Sequence, residues 1–198
     1  MAANKMRVDE LAPSKTVLLL VDFINPLRFD GADLLAPSAL MAARQTARLR
    51  KHLSIKGSRT IFANDNYGQW TSDFKELWKR CAALPGAAGH IAKLLKPAAD
   101  DFTLLKPRHS AFYATPLDIL LKQLRCKRLV IAGIACDSCV LFSAMDAYLR
   151  DYSLWVPPDC TASETEDSCD RAVEQMRRVL KAHVGRAFPV DPPSGSRP

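Results

Sequence analysis

The sequence predicts an α/β protein built as a three-layer, doubly wound sheet of about six mainly parallel strands. Two observations predict this class. Short apolar runs alternate with segments of helical periodicity along the whole chain, which is typical of strand–helix–strand units. The chain has 198 residues, without an internal repeat or a linker-like stretch, and this length suits one domain. We expect that domain at 15–190, between flexible segments at 1–14 and 191–198.

The first strand is predicted from TVLLLVDF (16–23), because a near-continuous apolar run indicates a strand buried on both faces. Ser38 has the residue type of a helix cap, and we expect its helix to run to about Ile55, where Gly57 ends it. RTIFAND (59–65) predicts the second strand.

A short helix is predicted from about Asp73 to Cys81, and the stretches LPGAAGH and LLKPAADD after it predict loops because they contain Gly and Pro. DFTLLK (101–106) is the third predicted strand. Pro116 is placed to open a helix that continues to about Leu124.

KRLVIAG (127–133) predicts the fourth strand, and a helix is expected after it at about 137–149. YSLWVP (152–157) is the fifth strand. The sixth is expected at RAFPV (186–190). Before it, Ser163 and Glu166 have the spacing of a capping box. They precede a helix whose predicted inward stripe consists of Cys169, Val173, Met176 and Leu180.

The formal charge of +7 does not indicate a nucleic-acid partner. Part of the excess lies at 41–60, which contains six basic residues and no acidic one. On a helix, Arg44, Arg48 and Lys51 lie opposite an apolar stripe, as expected of a solvated outer face. Neither interleaved aromatic residues nor a nucleic-acid-binding motif accompanies them. We therefore expect no nucleic-acid partner.

Hydropathy and cysteine usage predict a cytoplasmic protein without a membrane partner. No apolar run approaches the roughly 20 residues of a membrane-spanning helix, and the N-terminal sequence lacks the apolar stretch of a secretory signal. The six cysteines are scattered and do not frame a small loop-rich fold, so we expect free thiols in a reducing compartment.

Reactive side chains follow three of the predicted strands. Asp22 comes after LLLV, Lys106 after FTLL, and the pair Cys136 and Cys139 after LVIAG. In doubly wound sheets, small ligands bind beyond the carboxyl ends of the strands. Each residue alone also has an ordinary structural explanation, but their coincidence at one edge of the sheet predicts a site there.

The two cysteines differ in their expected environment. Cys139 falls in the first turn of the predicted helix, where free amides and the helix dipole stabilise a thiolate. Cys136 falls in the turn before it. An ordinary thiol, with a pKa near 8.5, is only a few per cent ionised at neutral pH. Of the two, Cys139 therefore has the stronger claim to a lowered pKa, and a nearby Lys106 would lower it further.

These segments resemble the isochorismatase-like cysteine hydrolases, a family that includes isochorismatases, nicotinamidases, N-carbamoylsarcosine amidases and ureidoacrylate amidohydrolases. LLLVDFINPL, LLKPRHSAFYATPLD and AGIACDSCVLFSAMDA carry the resemblance, which extends over 15–190. It implies the isochorismatase-like hydrolase fold. It also implies that Asp22 is the general base, that Lys106 holds the thiol and lowers its pKa, and that Cys139 is the nucleophile.

The resemblance further implies a non-proline cis peptide bond between Ile134 and Ala135, and an oxyanion hole formed by the amides of Ala135 and Cys139. The family usually has Thr where this chain has Cys136, which is therefore expected to have no catalytic role. The implied reaction is cleavage of a small amide or ureido C–N bond through a Cys139 thioester. Asp22 passes the thiol proton to the leaving amine and then activates water. A homodimer or homotetramer is implied as well.

Departures from the family pattern concern the substrate. Ile24 stands where Gln is usual, although Asn25 matches. Nicotinamidases bind a metal through Asp and several His residues after the second strand, but ANDNYGQW contains no histidine. The four histidines of the chain match no metal spacing, so we expect neither a metal nor another cofactor. The side chains expected to line the pocket for a small-molecule substrate are Phe23, Asn25, Asn64, Trp70, His109 and Tyr113.

Three alternatives remain at this point. A family member can cleave the vinyl ether of isochorismate, with Asp22 doing the chemistry and Cys139 contributing little. A dithiol oxidoreductase would use the CxxC spacing of Cys136 and Cys139, but it leaves Asp22 and Lys106 unexplained. A non-catalytic scaffold of the same fold would not need all three reactive residues.

Overall fold

The computed structural model describes residues 11–188, and within this range six strands form one parallel sheet. The predicted tail at 191–198 and residues 1–10 of the predicted N-terminal segment lie outside the described residues. The strands are Thr16–Val21 (β1), Arg59–Asp65 (β2), Phe102–Lys106 (β3), Arg128–Ile134 (β4), Ser153–Trp155 (β5) and Thr161–Ala162 (β6). Their order is β3-β2-β1-β4-β5, and β6 pairs with the end of β4.

Helices cover both faces of the sheet, which confirms the predicted doubly wound α/β class. The helices are Ala32–Ile55 (α1), Phe74–Ala82 (α2), Gly86–Leu94 (α3), Leu117–Gln123 (α4), Leu141–Tyr148 (α5) and Glu166–Val179 (α6). Residues of α1, α2 and α3 form one core cluster, and residues of α4, α5 and α6 form the other. Alternate residues of β1 join the two clusters, Leu18 and Leu20 in the first and Leu19 and Val21 in the second. None of the described helices is both long and apolar enough to span a bilayer.

Two predictions in the first half of the chain are wrong. Helix α1 begins at Ala32 and includes Pro37, so Ser38 is not its cap, and the Ser38 hydroxyl donates to the Leu35 carbonyl oxygen (2.9 Å). The stretch after α2 contains the helix α3, where a loop was predicted. Gly89 lies so close to the Leu84 carbonyl oxygen that a Cβ would collide with it, so this Gly serves close packing and does not break the helix.

Two predictions in the second half are also wrong. Thr165, and not Ser163, caps α6, and the Thr165 hydroxyl accepts from the Ser168 amide (3.1 Å). The Ser163 hydroxyl donates instead to Asp137 Oδ1 (2.7 Å). The sixth strand is β6, and residues 186–188 form no strand. The other residues of the predicted strand, 189 and 190, lie outside the described range. Since β6 has only two residues, no apolar run in the sequence reveals it.

The packed part of the chain begins before the predicted domain limit. Ser14 is 3% exposed. Its amide donates to the Leu124 carbonyl oxygen (2.8 Å), and its hydroxyl accepts from the Arg59 amide (3.0 Å). The predicted flexible segment 1–14 is therefore wrong at Ser14.

A glycine lets the ends of β1 and β4 approach each other. Gly133 pairs with Val21 in the parallel register and has a φ of 154°. A Cβ on Gly133 would collide with the Val21 carbonyl oxygen. This close approach places the residues that follow the two strands, Asp22 and the turn after Ile134, side by side.

Replacing Gly133 by Ala tests this approach. We expect Gly133→Ala to lower the free energy of unfolding by about 1–3 kcal/mol more than Gly57→Ala does. Both positions have a positive φ, but no atom lies within 4 Å of a Cβ built on Gly57. Urea unfolding of the two variants measures the difference, and equal losses would contradict a close approach at Gly133.

Candidate active site

Three strand ends bring Asp22, Lys106 and Cys139 together. Asp22 follows β1, Lys106 is the last residue of β3, and Cys139 lies in a π-helical turn, Cys136–Val140, after β4. Because β2 separates β1 from β3, about 10 Å lies between those two strands. The long Lys106 side chain spans that gap. Its Nζ lies 2.7 Å from Asp22 Oδ2 and 3.6 Å from Cys139 Sγ.

The backbone holds the Asp22 carboxyl group in place. Asp22 has a φ of 53°, a left-handed conformation that Asp tolerates better than most residues. Its amide donates to the Ala63 carbonyl oxygen (3.0 Å), and its Oδ1 accepts from the Asp65 amide (2.7 Å). One carboxylate oxygen is thus bonded to the end of β2, while the other faces Lys106.

Asp22 and Lys106 form a buried ion pair, with side chains 5% and 0% exposed. The Lys106 ammonium group also donates to the Arg108 carbonyl oxygen (3.1 Å). Burial raises the pKa of Asp22 above its usual range, although Lys106 opposes this shift. Burial also acts to lower the pKa of Lys106, but the charge of Asp22, among other contacts, opposes it and that pKa is raised. Lys106 therefore stays charged, and Asp22 is a stronger base than an exposed carboxylate.

The Cys139 thiol does not have the lowered pKa that we expected from the sequence. Burial and the nearby Asp22 charge raise the pKa of Cys139 to about 12, and Lys106 only partly offsets them. The hydrogen bond between the thiol and Asp22 acts in the same direction as burial. Near neutral pH the raised pKa favours the protonated thiol.

The turn that carries Cys139 is wider than an α-helical turn. The Val140 amide donates to the Ala135 carbonyl oxygen five residues earlier (3.1 Å), and such turns are frequent at functional sites. The Ile134–Ala135 peptide bond is cis, at the position that the resemblance implies. The oxyanion hole assigned to the amides of Ala135 and Cys139 stays a prediction.

Hydrogen bonds from neighbouring elements hold this turn. The Ser143 hydroxyl donates to the Cys139 carbonyl oxygen (2.7 Å) and accepts from the Ala111 amide (2.9 Å), which links the turn to the segment after β3. The Ser163 hydroxyl donates to Asp137 Oδ1 (2.7 Å), which links the turn to the residue after β6. Because Ser143 and Ala111, like Ser163 and Asp137, lie far apart in the chain, the sequence alone does not predict these hydrogen bonds.

Cys136 belongs to a different cluster from Cys139. It is fully buried, and its Sγ lies 3.9 Å from the Cys169 carbonyl oxygen in α6. Its hydrogen bond with the Cys169 thiol, together with burial, raises the pKa of Cys136. The neighbour of Cys136 is thus Cys169, a contact that the CxxC spacing does not reveal, and Cys139 contacts Lys106 instead. This arrangement does not support a redox pair of Cys136 and Cys139.

Among the six side chains predicted to line a pocket, His109 is the one that contacts the nucleophile. It is exposed, and its Nδ1 lies 3.7 Å from Cys139 Sγ. The His109 ring packs on Phe142 of α5, with centroids 5.5 Å apart and planes at 45°. Trp70 and Tyr113 are 80% and 60% exposed, and no contact of the described residues joins them to Cys139.

The other predicted pocket residues have structural contacts. Phe23 is 1% exposed and belongs to the core cluster on the α1 side of the sheet, so its assignment to the pocket is wrong. Asn25 Oδ1 accepts from the Leu27 amide (2.8 Å). Asn64 is fully buried, and its Nδ2 donates to the Ile24 carbonyl oxygen (3.0 Å). Both amide side chains thus stabilise the loop after β1.

Tyr67 follows the end of β2, and the sequence did not single it out. The residue is 39% exposed. Burial of part of the phenol and the charge of Asp22, among others, raise the pKa of Tyr67. The signal available in the sequence was an aromatic residue close behind a strand end.

The residues at the end of β2 are Asn64, Asp65 and Asn66, with no histidine among them. The Asp65 carboxylate accepts from the Tyr67 amide (2.6 Å). Within 11–188, no three His, Cys, Asp or Glu side chains are grouped so that they could hold a metal ion.

The fold and this cluster define the class of the protein, an α/β protein with a doubly wound parallel sheet and a cysteine, a lysine and an aspartate at its strand ends. The isochorismatase domain model matches residues 16–186. The chain belongs to the isochorismatase family.

Three known proteins illustrate the similarity. An uncharacterised isochorismatase family protein of Bacillus subtilis, YaaI, is 36% identical over 88% of this chain and 95% of its own length. The ureidoacrylate amidohydrolase RutB of Cronobacter sakazakii is 35% identical over 76% of this chain and 75% of its own. The crystal structure of N-carbamoylsarcosine amidase from Thermoplasma acidophilum superimposes with a TM-score of 0.68 at 24% identity, over 90% of this chain and 99% of the other; this last likeness concerns the fold.

The raised pKa of Cys139 leads to a prediction about its reactivity. Asp22→Asn removes a negative charge that raises this pKa and leaves Lys106 in place. We therefore expect iodoacetamide to alkylate Cys139 faster at pH 8 in Asp22→Asn than in the unchanged protein, with the rate followed by mass spectrometry of the Cys139 peptide.

Lys106→Met is the matched variant, because it removes the charge that lowers the pKa of Cys139 and should slow the same alkylation. Circular dichroism shows whether each variant is folded. Slower alkylation in a folded Asp22→Asn would mean that Asp22 already activates the thiol in the resting state.

Proposed function

We propose that this protein is a cysteine-dependent amidohydrolase that cleaves a small amide or ureido C–N bond through a thioester on Cys139. It is a hydrolase of the isochorismatase family. The observation that carries the proposal is the buried contact of one ammonium group, Lys106 Nζ, with both Asp22 Oδ2 (2.7 Å) and Cys139 Sγ (3.6 Å). The similarity to a ureidoacrylate amidohydrolase over three quarters of both chains supports the substrate class.

The first half-reaction forms the thioester. Asp22, whose pKa is raised by burial, accepts the Cys139 proton as the sulfur attacks the carbonyl carbon. Lys106 stabilises the sulfur anion as it forms, because its charge favours the thiolate. We assign the developing oxyanion to the amides of Ala135 and Cys139, and such donors contribute about 3–4 kcal/mol in comparable sites. Asp22 passes the thiol proton to the nitrogen, and the C–N bond breaks.

The second half-reaction is hydrolysis of the thioester. Asp22 takes a proton from water as the water oxygen attacks the same carbon, the C–S bond breaks, and Asp22 returns that proton to Cys139. Lys106 keeps its charge throughout, so its role is to hold Asp22 and Cys139 and to balance their negative charge. In this proposal Asp22, Lys106 and Cys139 form a catalytic triad that needs no cofactor.

We propose that the protein acts on a small molecule in the cytoplasm, which agrees with the six free thiols of the described chain, and that it forms a homodimer or homotetramer. One exposed face of α5 supports an assembly of copies. Phe142, Met145 and Leu149 are 48%, 40% and 75% exposed, and their spacing places them on one side of the helix.

The thioester mechanism is tested with two cysteine variants. We expect Cys139→Ala to lower kcat/KM for amide and ureido substrates by at least about 10³-fold, as losses of a nucleophile do. Cys136→Ser should keep activity within about threefold, since Cys136 contacts α6 and not the triad. Ammonia release from a panel of small amides and ureido acids provides the measurement.

Isochorismate belongs in the same panel. If Cys139→Ala still cleaves isochorismate while no amide is hydrolysed by the unchanged protein, the vinyl-ether reaction replaces the amidase proposal. Loss of all activity in Cys136→Ser would contradict the separate roles of the two cysteines.

A charged residue introduced on the exposed face of α5 tests the assembly. We expect a dimer or tetramer mass by light scattering, and a shift toward monomer in Leu149→Glu because the carboxylate would be buried in the interface. Ile55→Glu is the matched control, because Ile55 at the end of α1 is equally exposed (79%). A monomeric unchanged protein, or dissociation only in Ile55→Glu, would contradict an interface on α5.

A further inference from the structure

His109 contacts Cys139 from the solvent-exposed side, whereas Asp22 and Lys106 approach it from the protein interior. Asp22 and Lys106 are buried beside Cys139, whereas the His109 side chain is exposed and its Nδ1 lies 3.7 Å from Cys139 Sγ. A substrate that enters from solvent to reach the sulfur therefore meets the imidazole. The Phe142 ring packs on His109 and favours this position of the imidazole.

The distance indicates which part of an amide His109 can reach. When sulfur attacks a carbonyl carbon, the leaving nitrogen is only two covalent bonds from the sulfur. A general acid must come within about 2.6–3.2 Å of the atom that it protonates. An imidazole nitrogen 3.7 Å from Sγ is close enough to bond that nitrogen after a small adjustment. A polar group at the far end of the substrate would lie beyond its reach.

The chemistry of the leaving group calls for an acid at this place. An amide nitrogen departs only after it has gained a proton, whereas Asp22 is bonded to Lys106 and the Asp65 amide on the buried side of the sulfur. The imidazole is the titratable group on the solvent side of Cys139 that the described contacts provide.

We propose that His109 is a further catalytic residue of the proposed amidase, the general acid for the leaving nitrogen and the general base for the hydrolytic water, two roles that it takes over from Asp22 in the simpler scheme above. This inference rests on the proposed function. In acylation the S–C bond forms and the C–N bond breaks; Asp22 receives the thiol proton, and the His109 imidazolium gives its proton to the nitrogen. In deacylation the water gives one proton to His109 and its oxygen to the acyl carbon, the C–S bond breaks, and the Asp22 proton returns to sulfur. Both side chains are then restored.

The test compares two leaving groups. An amide needs a proton on its nitrogen, whereas p-nitrophenolate leaves an ester without one. We expect His109→Gln to lower kcat/KM for an amide by about 10²-fold or more, and kcat/KM for the p-nitrophenyl ester of the same acid by less than about threefold. This comparison reports on acylation, because kcat/KM extends only to the first irreversible step.

Two further variants separate catalysis from structure. Added imidazole should restore amide cleavage in His109→Gly, which a merely structural role would not allow. His90→Gln is the matched control, because His90 is an exposed histidine in α3, which packs on the opposite face of the sheet from Cys139, and it should leave both rates unchanged. Since His109 is itself exposed, these variants should unfold at the same temperature as the unchanged protein.

The outcomes distinguish this inference from the proposed function. Equal losses on amide and ester in His109→Gln, no loss on either, or an absence of imidazole rescue would overturn the role of His109 while leaving the Cys139 thioester intact. If the unchanged protein cleaves the ester through Cys139 but no amide or ureido compound, the proposed function itself is contradicted.

Discussion

The buried ion pair between Asp22 and Lys106 is the constraint on which the rest of the site depends. A charge buried without its partner costs several kcal/mol, so each of the two residues requires the other in place. The pair connects the ends of β1 and β3 across β2. Asp22 also accepts a hydrogen bond from the Asp65 amide, and Lys106 donates one to the Arg108 carbonyl oxygen. The geometry around the sulfur is therefore fixed by the sheet before any substrate binds.

The same pair sets the state of the nucleophile through two opposed charges. Lys106 favours the thiolate, while burial and Asp22 favour the thiol and prevail. Because oxidants attack the thiolate, a protonated resting Cys139 is less readily oxidised than a preformed anion would be. In the proposed mechanism, the reactive thiolate forms only when Asp22 takes the thiol proton.

The sequence predicts those parts of the structure that depend on local pattern. The buried strands β1 and β2 follow from their apolar runs, and the triad follows from three reactive residues at strand ends. The start of α1 was missed because Gly31 provides no capping side chain. The two-residue β6 has too few residues to show a period. The pKa of Cys139 and the contacts of His109 with Phe142 and of Cys136 with Cys169 arise between distant segments, so no local pattern carries them.

Strand β2 contributes to the site through its main chain. This strand lies between the two ends of the ion pair, yet it holds Asp22 through main-chain groups alone, the Ala63 carbonyl oxygen and the Asp65 amide, and the Asp65 carboxylate turns to Tyr67. Any residue with a free N–H could donate that second hydrogen bond. The side chain at position 65 can therefore change without altering how Asp22 is held, so this point of the sheet edge tolerates substitutions that the ends of β1 and β3 do not.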